Sequence, residues 1–364
     1  MRYTLTALLL LLYTSSCFAN DLLLDYWQYD KYLAQHPTQS ALTQAMHQRI
    51  YQAPVPLNVS QDKPIEIDIV YPGTQLSDYW WRNIKALELR LNELGVDYRL
   101  RKYSSRPNMD YRREAESLQT ALKNAPDYLV FTLDTSRHKK FAENLLANGN
   151  GKTKLILINI TTPIKHWKDH QPLLYVGFDH VLGTKLLANE YMKAFPEQAN
   201  FGMMYFSPGH ISEARGDTFI KYMKTQGDYA LKRAYFTNAN RKSAYEATLS
   251  MIQKEPDLDF IYACSTDVAF GVTQALTKLD RHDVMVNGWG GGSEIEAVAD
   301  GIIDFTVVRM TDDTGVAIAE AIKLDLQNEP VPQVYSGDYE VLTKYDDEQT
   351  IEALKSKAFR YSDR

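Results

Sequence analysis

The sequence predicts an α/β protein built from two doubly wound parallel-sheet lobes, and three observations carry that prediction. Short apolar runs of strand type recur about ten times, and helical patterns with a 3.6-residue period lie between most of them. Such alternation implies right-handed βαβ units, hence parallel sheets with helices on both faces. The chain has 364 residues, more than the ~100–200 typical of one domain. Ten or so strands also exceed what one open twisted sheet holds comfortably, so two similar lobes are expected.

The elements follow in order. Arg2, the apolar run Leu5–Tyr13 and the small residues before Asn20 have the shape of a cleavable secretory signal, residues 1–19. The run is too short to span a bilayer. Its removal takes away Arg2 and no acid, so the formal charge moves from −6 to −7, and it takes away Cys17 as well. Cys264 is then the one remaining cysteine, which leaves no internal disulfide. Residues 20–63 read as an irregular extension with short helical pieces, pinned by Tyr26, Trp27, Tyr29 and Tyr32. From Pro64 the alternation begins. Ile65–Tyr71 is a strand, and Trp80, Ile84, Leu87, Leu91 and Leu94 mark one helix face that Ser77 caps and Gly95 ends. Strands are expected at Val96–Tyr103, Tyr128–Leu133, Leu155–Ile158, Leu174–Gly177, Gly202–Phe206, Tyr229–Phe236, Phe260–Ala263, Val284–Val286 and Phe305–Val308. Helices are expected at Met109–Lys123 and Lys139–Ala147.

Ligands of open parallel sheets bind outside the carboxyl ends of the strands. The residues there are Gln75, Ser77 and Trp80; Thr132 and Asp134; Asn159; Arg215; Thr266 and Asp267; Trp289; and Arg309. Amides and hydroxyls read hydroxyl groups, indoles cover ring faces, and guanidinium forks take oxyanions in pairs of hydrogen bonds. The set suits a small hydroxylated ring, with a negative charge if both arginines serve it. Ser77 also reads as a helix cap, Asn159 as a turn residue and Trp80 as core. Trp289 lies in Asn287–Gly292 among four glycines that offer little to hide an indole, which favours a ligand role.

Several chemistries have no support. The acidic balance and interspersed charge exclude a nucleic-acid face. The first strand is followed by one glycine rather than Gly-x-Gly-x-x-Gly. Gly290–Gly292 lacks the lysine of a phosphate loop, the histidines have no metal-ligand spacing, and Gly-x-Ser-x-Gly is absent. Cys264 has no adjacent histidine and reads as a buried thiol. Asp312 and Asp313 read as dipole partners of a helix start. No nucleophile, acid–base pair or cofactor motif is left to support an enzyme.

Val70–Gly73, Ser77–Trp80, Phe131–Thr135, Asn159–Pro163, Arg215–Phe219, Asp259–Asp267, Asn287–Ser293 and Arg309–Met310 resemble the type I periplasmic binding proteins of the ribose-binding class. Among these, the resemblance is to receptors for the quorum-sensing signal autoinducer-2. It implies two lobes joined by a three-strand hinge, and a periplasmic location. It also implies the furanosyl borate diester as ligand (boron entering with it, no other cofactor) and a membrane sensor kinase of the LuxQ type as partner. By match of motif it assigns ligand contact to Gln75, Ser77, Trp80, Asn159, Arg215, Thr266, Trp289 and Arg309, with Asp267 and Asp134 as lesser candidates. A buried borate diester needs a cation, and the two arginines are expected to approach it from opposite lobes. The expected boundaries are 64–165 plus 290–328 for the first lobe and 166–289 plus 329–364 for the second. The rival expectation is a pentose or other sugar receptor feeding an ABC importer.

Overall fold

The computed structural model describes residues 24–75, 77–106, 110–148 and 152–364. The expected secretory signal lies outside the described residues. The first sheet holds β1 (Ile65–Tyr71), β2 (Tyr98–Ser104), β3 (Tyr128–Thr132), β4 (Lys154–Ile158), β5 (Leu174–Gly177) and β11 (Val334–Ser336). Their order is β2-β1-β3-β4-β5-β11, every pair parallel. The second sheet holds β6 (Gln198–Tyr205), β7 (Asp228–Phe236), β8 (Phe260–Ala263) and β9 (Met285–Val286), in the order β7-β6-β8-β9. A parallel bridge from Asn287 to Phe305 continues it to β10 (Phe305–Arg309), which pairs antiparallel with β12 (Tyr339–Thr343).

The inner strands of each sheet are buried on both faces and are therefore apolar runs, whereas the edge strands β2 and β7 carry charged residues on a partly exposed face. Two clusters cover the first sheet. One joins Ile67, Ile69, Val130 and Ile156 to the helices Tyr79–Glu93 and Asp312–Leu326; the other joins Leu129, Phe131 and Leu157 to Leu118, Ala142 and Trp167. A single large cluster fills the second lobe around Phe201, Phe219, Phe260 and Tyr191. Gly95, at φ +67°, ends its helix as expected, in a left-handed position that costs other residues more. The extension is more regular than expected, with helices Tyr29–Gln35 and Pro37–Tyr51. It covers the edge strand β11, where the Thr43 hydroxyl donates to the Val334 carbonyl at 2.8 Å.

Sheet membership corrects the expected lobe boundaries. β5 belongs to the first sheet although residues 166–178 were expected in the second lobe. β11 also belongs to the first, while β10 and the helix Gly292–Ala299 pack on the second-lobe core. The crossings are therefore at Gly177–His180, Arg309–Asp312 and Ser336–Tyr339, each displaced towards the C-terminus from its expected place. They lie side by side. Gly337 N–H donates to Gly177 O at 2.8 Å, Met310 N–H to Asp338 O at 3.0 Å, and Asp179 N–H to Ser336 Oγ at 2.9 Å.

Candidate functional site

The nine residues Gln75, Ser77, Trp80, Asn159, Arg215, Thr266, Asp267, Trp289 and Arg309 line one cavity between the lobes. It opens at the carboxyl ends of the strands, where βα loops and helix starts converge.

From the first lobe come the loops after β1, β3 and β4. Gln75 donates through Nε2 to Pro72 O at 2.9 Å, which folds its side chain over the loop. Ser77 stands one residue outside the helix that it was expected to cap. Asp78 takes the N-cap position, and Ser77 Oγ accepts from Tyr79 N–H at 3.4 Å. Trp80 is mostly core, packed edge-on to Tyr79 at 5.0 Å, and shows the remainder to the cavity. Asn159 follows β4 with φ +62°, an uncommon conformation for a residue with a side chain. Its Oδ1 is buried without a hydrogen-bond partner, as is Thr132 Oγ1 beside it on the cavity wall. Unmet acceptors are costly in a core and useful in a binding site.

The second lobe supplies the cations. Arg215 sits in a π-helical turn, Glu213–Asp217, that breaks the regular ladder and turns the side chain into the cleft. Its guanidinium donates to Cys264 O at 2.7 Å and lies 4.0 Å over the indole of Trp289. Burial, then the neighbouring Arg309, pull its pKa down to about 10. Arg309 is the last residue of β10, so both arginines are carried by the second lobe, contrary to the expected opposition. Arg309 nonetheless reaches the first lobe, with its guanidinium 4.3 Å over Tyr79. Among the described residues no carboxylate lies within ion-pair distance of either guanidinium (the salt bridges comprise other pairs). Two buried cations with no carboxylate in ion-pair reach can take an anion, although Glu114, Asp134 and Asp267 line other parts of the same cavity.

Trp289 lines the cavity but is more covered than its glycine-rich surroundings suggest. The indole is 1% exposed, its N–H donates to Tyr262 Oη at 3.1 Å, and Arg215 covers its face. The glycine-rich loop does not leave it bare, because Gly183 and His180 of the helix His180–Ala194 pack against it. It is a platform for Arg215 that meets the cavity at its margin. Glu294 holds this loop from within, accepting from the N–H of Trp289 at 2.8 Å and of Gly291 at 2.8 Å. Gly290 has φ +79°, and a Cβ there would fall 2.3 Å from Val307 O, so the turn requires glycine.

Thr266 and Asp267 open the helix Thr266–Lys278, which Ser265 caps through Val268 N–H at 3.4 Å. Sequence reading missed Tyr79, Glu114, His138 and His180. His138 lines the cavity with Glu114, its Nε2 at 2.9 Å from Glu114 Oε2, and its Nδ1 accepts from Asp134 N–H at 3.2 Å. His180 is buried behind Arg215. Its Nδ1 lies 3.4 Å from Arg215 Nε and its Nε2 3.2 Å from Asn159 O. Burial and the Arg215 charge hold its pKa well below the usual range, so it is a neutral spacer between two site residues. A histidine at a helix start after a strand was the one available signal. Cys264 carries a free, buried thiol whose pKa burial pushes up, in keeping with an inert role.

A sequence profile of the periplasmic binding protein domain matches residues 68–330. The chain belongs to that family. The extension and the C-terminal tail flank the matched region. The ribose import binding protein RbsB of Salmonella typhimurium is 24% identical over 172 residues, 47% of this chain and 58% of that protein. RbsB of Escherichia coli K12 aligns equally. The chain thus spans a little over half the length of the curated relatives it matches. A carbohydrate transporter solute binding protein from Agrobacterium radiobacter, in complex with D-arabinose, superposes with TM-score 0.69 at 18% identity, covering 81% of this chain and 99% of that one. A solute binding protein from Agrobacterium vitis bound to α-D-tagatopyranose gives 0.70 at 15%, covering 80% and 98%. A chain of the XylFII–LytSN complex gives 0.66 at 16%, covering 79% and 100%. These likenesses establish the two-lobed type I fold.

Proposed function

We propose that this chain is a periplasmic receptor of the LuxP kind, closing on the furanosyl borate diester form of autoinducer-2 and passing closure to a LuxQ-type sensor kinase. The observation that carries the proposal is the pair Arg215 and Arg309, both buried, both on the cavity, and neither within ion-pair distance of a carboxylate among the described residues. A tetravalent borate diester brings the one negative charge that this pair lacks, and charge-assisted hydrogen bonds to it are about twice as strong as neutral ones. Asn159 Oδ1 and Thr132 Oγ1 supply uncommitted acceptors for ring hydroxyls. A partner protein agrees with the fold, since a chain of this architecture occurs in the XylFII–LytSN complex. The relatives are named as binding proteins, which supports a receptor rather than an enzyme.

The second reading is a sugar-binding protein of an ABC importer, and the relatives as named favour it over the first. RbsB is a ribose import protein, and the similar structures hold arabinose and tagatose. Isothermal titration separates the two. The first reading expects the autoinducer precursor to bind with borate and only weakly without it, and Arg215→Ala to abolish the borate gain. Tight binding of D-ribose independent of borate would establish the second reading instead.

A further inference from the structure

Contacts that need no ligand span the cleft. Asp78, after β1 in the first lobe, accepts from the N–H of Gly292 at 3.0 Å, at the start of the second-lobe helix Gly292–Ala299. Asp134, after β3, accepts from the N–H of Ile211 at 2.9 Å, and its backbone carbonyl accepts from His210 N–H at 2.8 Å. In both places a first-lobe carboxylate meets unpaired N–H groups at a second-lobe helix start, where partial positive charge favours it.

Both carboxylates also lie against a glycine of the opposite lobe. A Cβ on Gly292 would fall 2.5 Å from Asp78 Oδ2, and one on Gly209 would fall 2.8 Å from both carboxylate oxygens of Asp134. The two contacts are unrelated in sequence and share one arrangement. Each is braced from behind. Arg82 donates to Asp78 at 2.5 Å and to Ser362 and Asp363 of the C-terminal tail at 2.8 and 2.6 Å. His138, held by Glu114, accepts the N–H groups of Asp134 and Thr135 at 3.2 and 3.3 Å.

We propose that Asp78 and Asp134 are closure latches, which with Gly292 and Gly209 set how much of the ligand-free protein is closed. Asp78, Gly209 and Gly292 are not on the cavity wall, so they act on affinity through closure alone. Apparent affinity scales with the closed fraction whatever the ligand is. Asp78 adjoins Ser77, and Asp134 is two residues from Thr132, so ligand and latch order the same loops. The inference goes beyond the functional reading and does not depend on it.

The test uses ligand-free protein. Spin labels at Lys123→Cys and Lys242→Cys, both exposed and on different lobes, report the lobe separation, while buried Cys264 takes no label. Gly292→Ala and Gly209→Ala displace only the far end of an aspartate, so each lobe stays folded. Each is expected to raise the open-to-closed ratio about tenfold, the worth of one charge-assisted hydrogen bond. Unchanged distance distributions in both variants would overturn the proposal. Gly292→Ala added to Asp78→Ala is expected to add nothing, because the space is then vacant. Further opening in that double variant would mean that the methyl acts through the helix, and would equally overturn the assignment.

Discussion

Arg215 illustrates what a binding residue costs its own protein. Its guanidinium is buried, shares the cavity with Arg309, and is stabilised mainly by Trp289 and the Cys264 carbonyl. Arg215→Met keeps most of the packing and removes the uncompensated charge. The ligand-free variant is expected to melt at a higher temperature than the parent, while affinity for an anionic ligand falls ~10–150-fold, the equivalent of about 1.5–3 kcal/mol. Calorimetry and titration on one preparation check both signs. Asn159 predicts the same opposition by another route. Its backbone is left-handed, a conformation that costs a side-chain-bearing residue about 1–3 kcal/mol, and its Oδ1 is the unmet acceptor. Asn159→Gly relieves the backbone and deletes the acceptor, so Tm is expected to rise or hold while binding weakens. A fall in Tm with unchanged affinity would reverse the assignment.

Strands and helices were legible wherever period alone defines them, as in Ile65–Tyr71 and the stripe from Trp80 to Leu94. Their allocation to lobes was not. Leu174–Gly177 reads as a buried strand whichever sheet receives it, and only its pairing with β4 and β11 decides the matter. Arg309 was placed in the wrong lobe for the same reason. The strand-end rule found eleven cavity residues, yet Asp78 and His138 act through partners 214 and 24 residues away, which no local pattern records. The first crossing carries an element-scale prediction. Asp179 caps the helix His180–Ala194 through Val181 N–H at 3.0 Å, and burial raises its pKa to about 6. A raised carboxyl pKa means that the folded state binds the extra proton, so this group's contribution falls as pH rises from about 4 to 6. Asp179→Asn keeps the cap acceptor and removes the charge. It is expected to stabilise the protein at pH 7 by up to about 3 kcal/mol, and much less at pH 4, by urea unfolding.

The whole molecule joins these parts at the seam between lobes, where two neutral histidines are packed. His210 rests against Tyr26 of the extension at 4.5 Å, and burial lowers its pKa to about 4. His180 separates Arg215 from Asn159, and burial with the Arg215 charge holds its pKa well below the ordinary value. A depressed histidine pKa means that the unfolded chain takes up the proton first, near pH 6.5. Stability is therefore lost as pH falls from about 6.5 towards 4, by up to about 3 kcal/mol for His210 alone. Asp179 opposes this loss over the lower part of the same range, so Asp179→Asn should steepen the acid limb and His210→Gln should flatten it. The seam location adds a second consequence. A proton on His180 places a cation beside Arg215 on the cavity wall, whereas a proton on His210 puts a charge into the closed, buried seam and so favours its opening. Acidification from pH 5 towards 4, where His210 begins to take up its proton, should then weaken ligand affinity and enlarge the radius of gyration before the lobes unfold. Small-angle scattering beside far-ultraviolet circular dichroism across that range distinguishes opening from unfolding. Expansion that coincides with loss of helix would place the acid response in the lobes rather than between them.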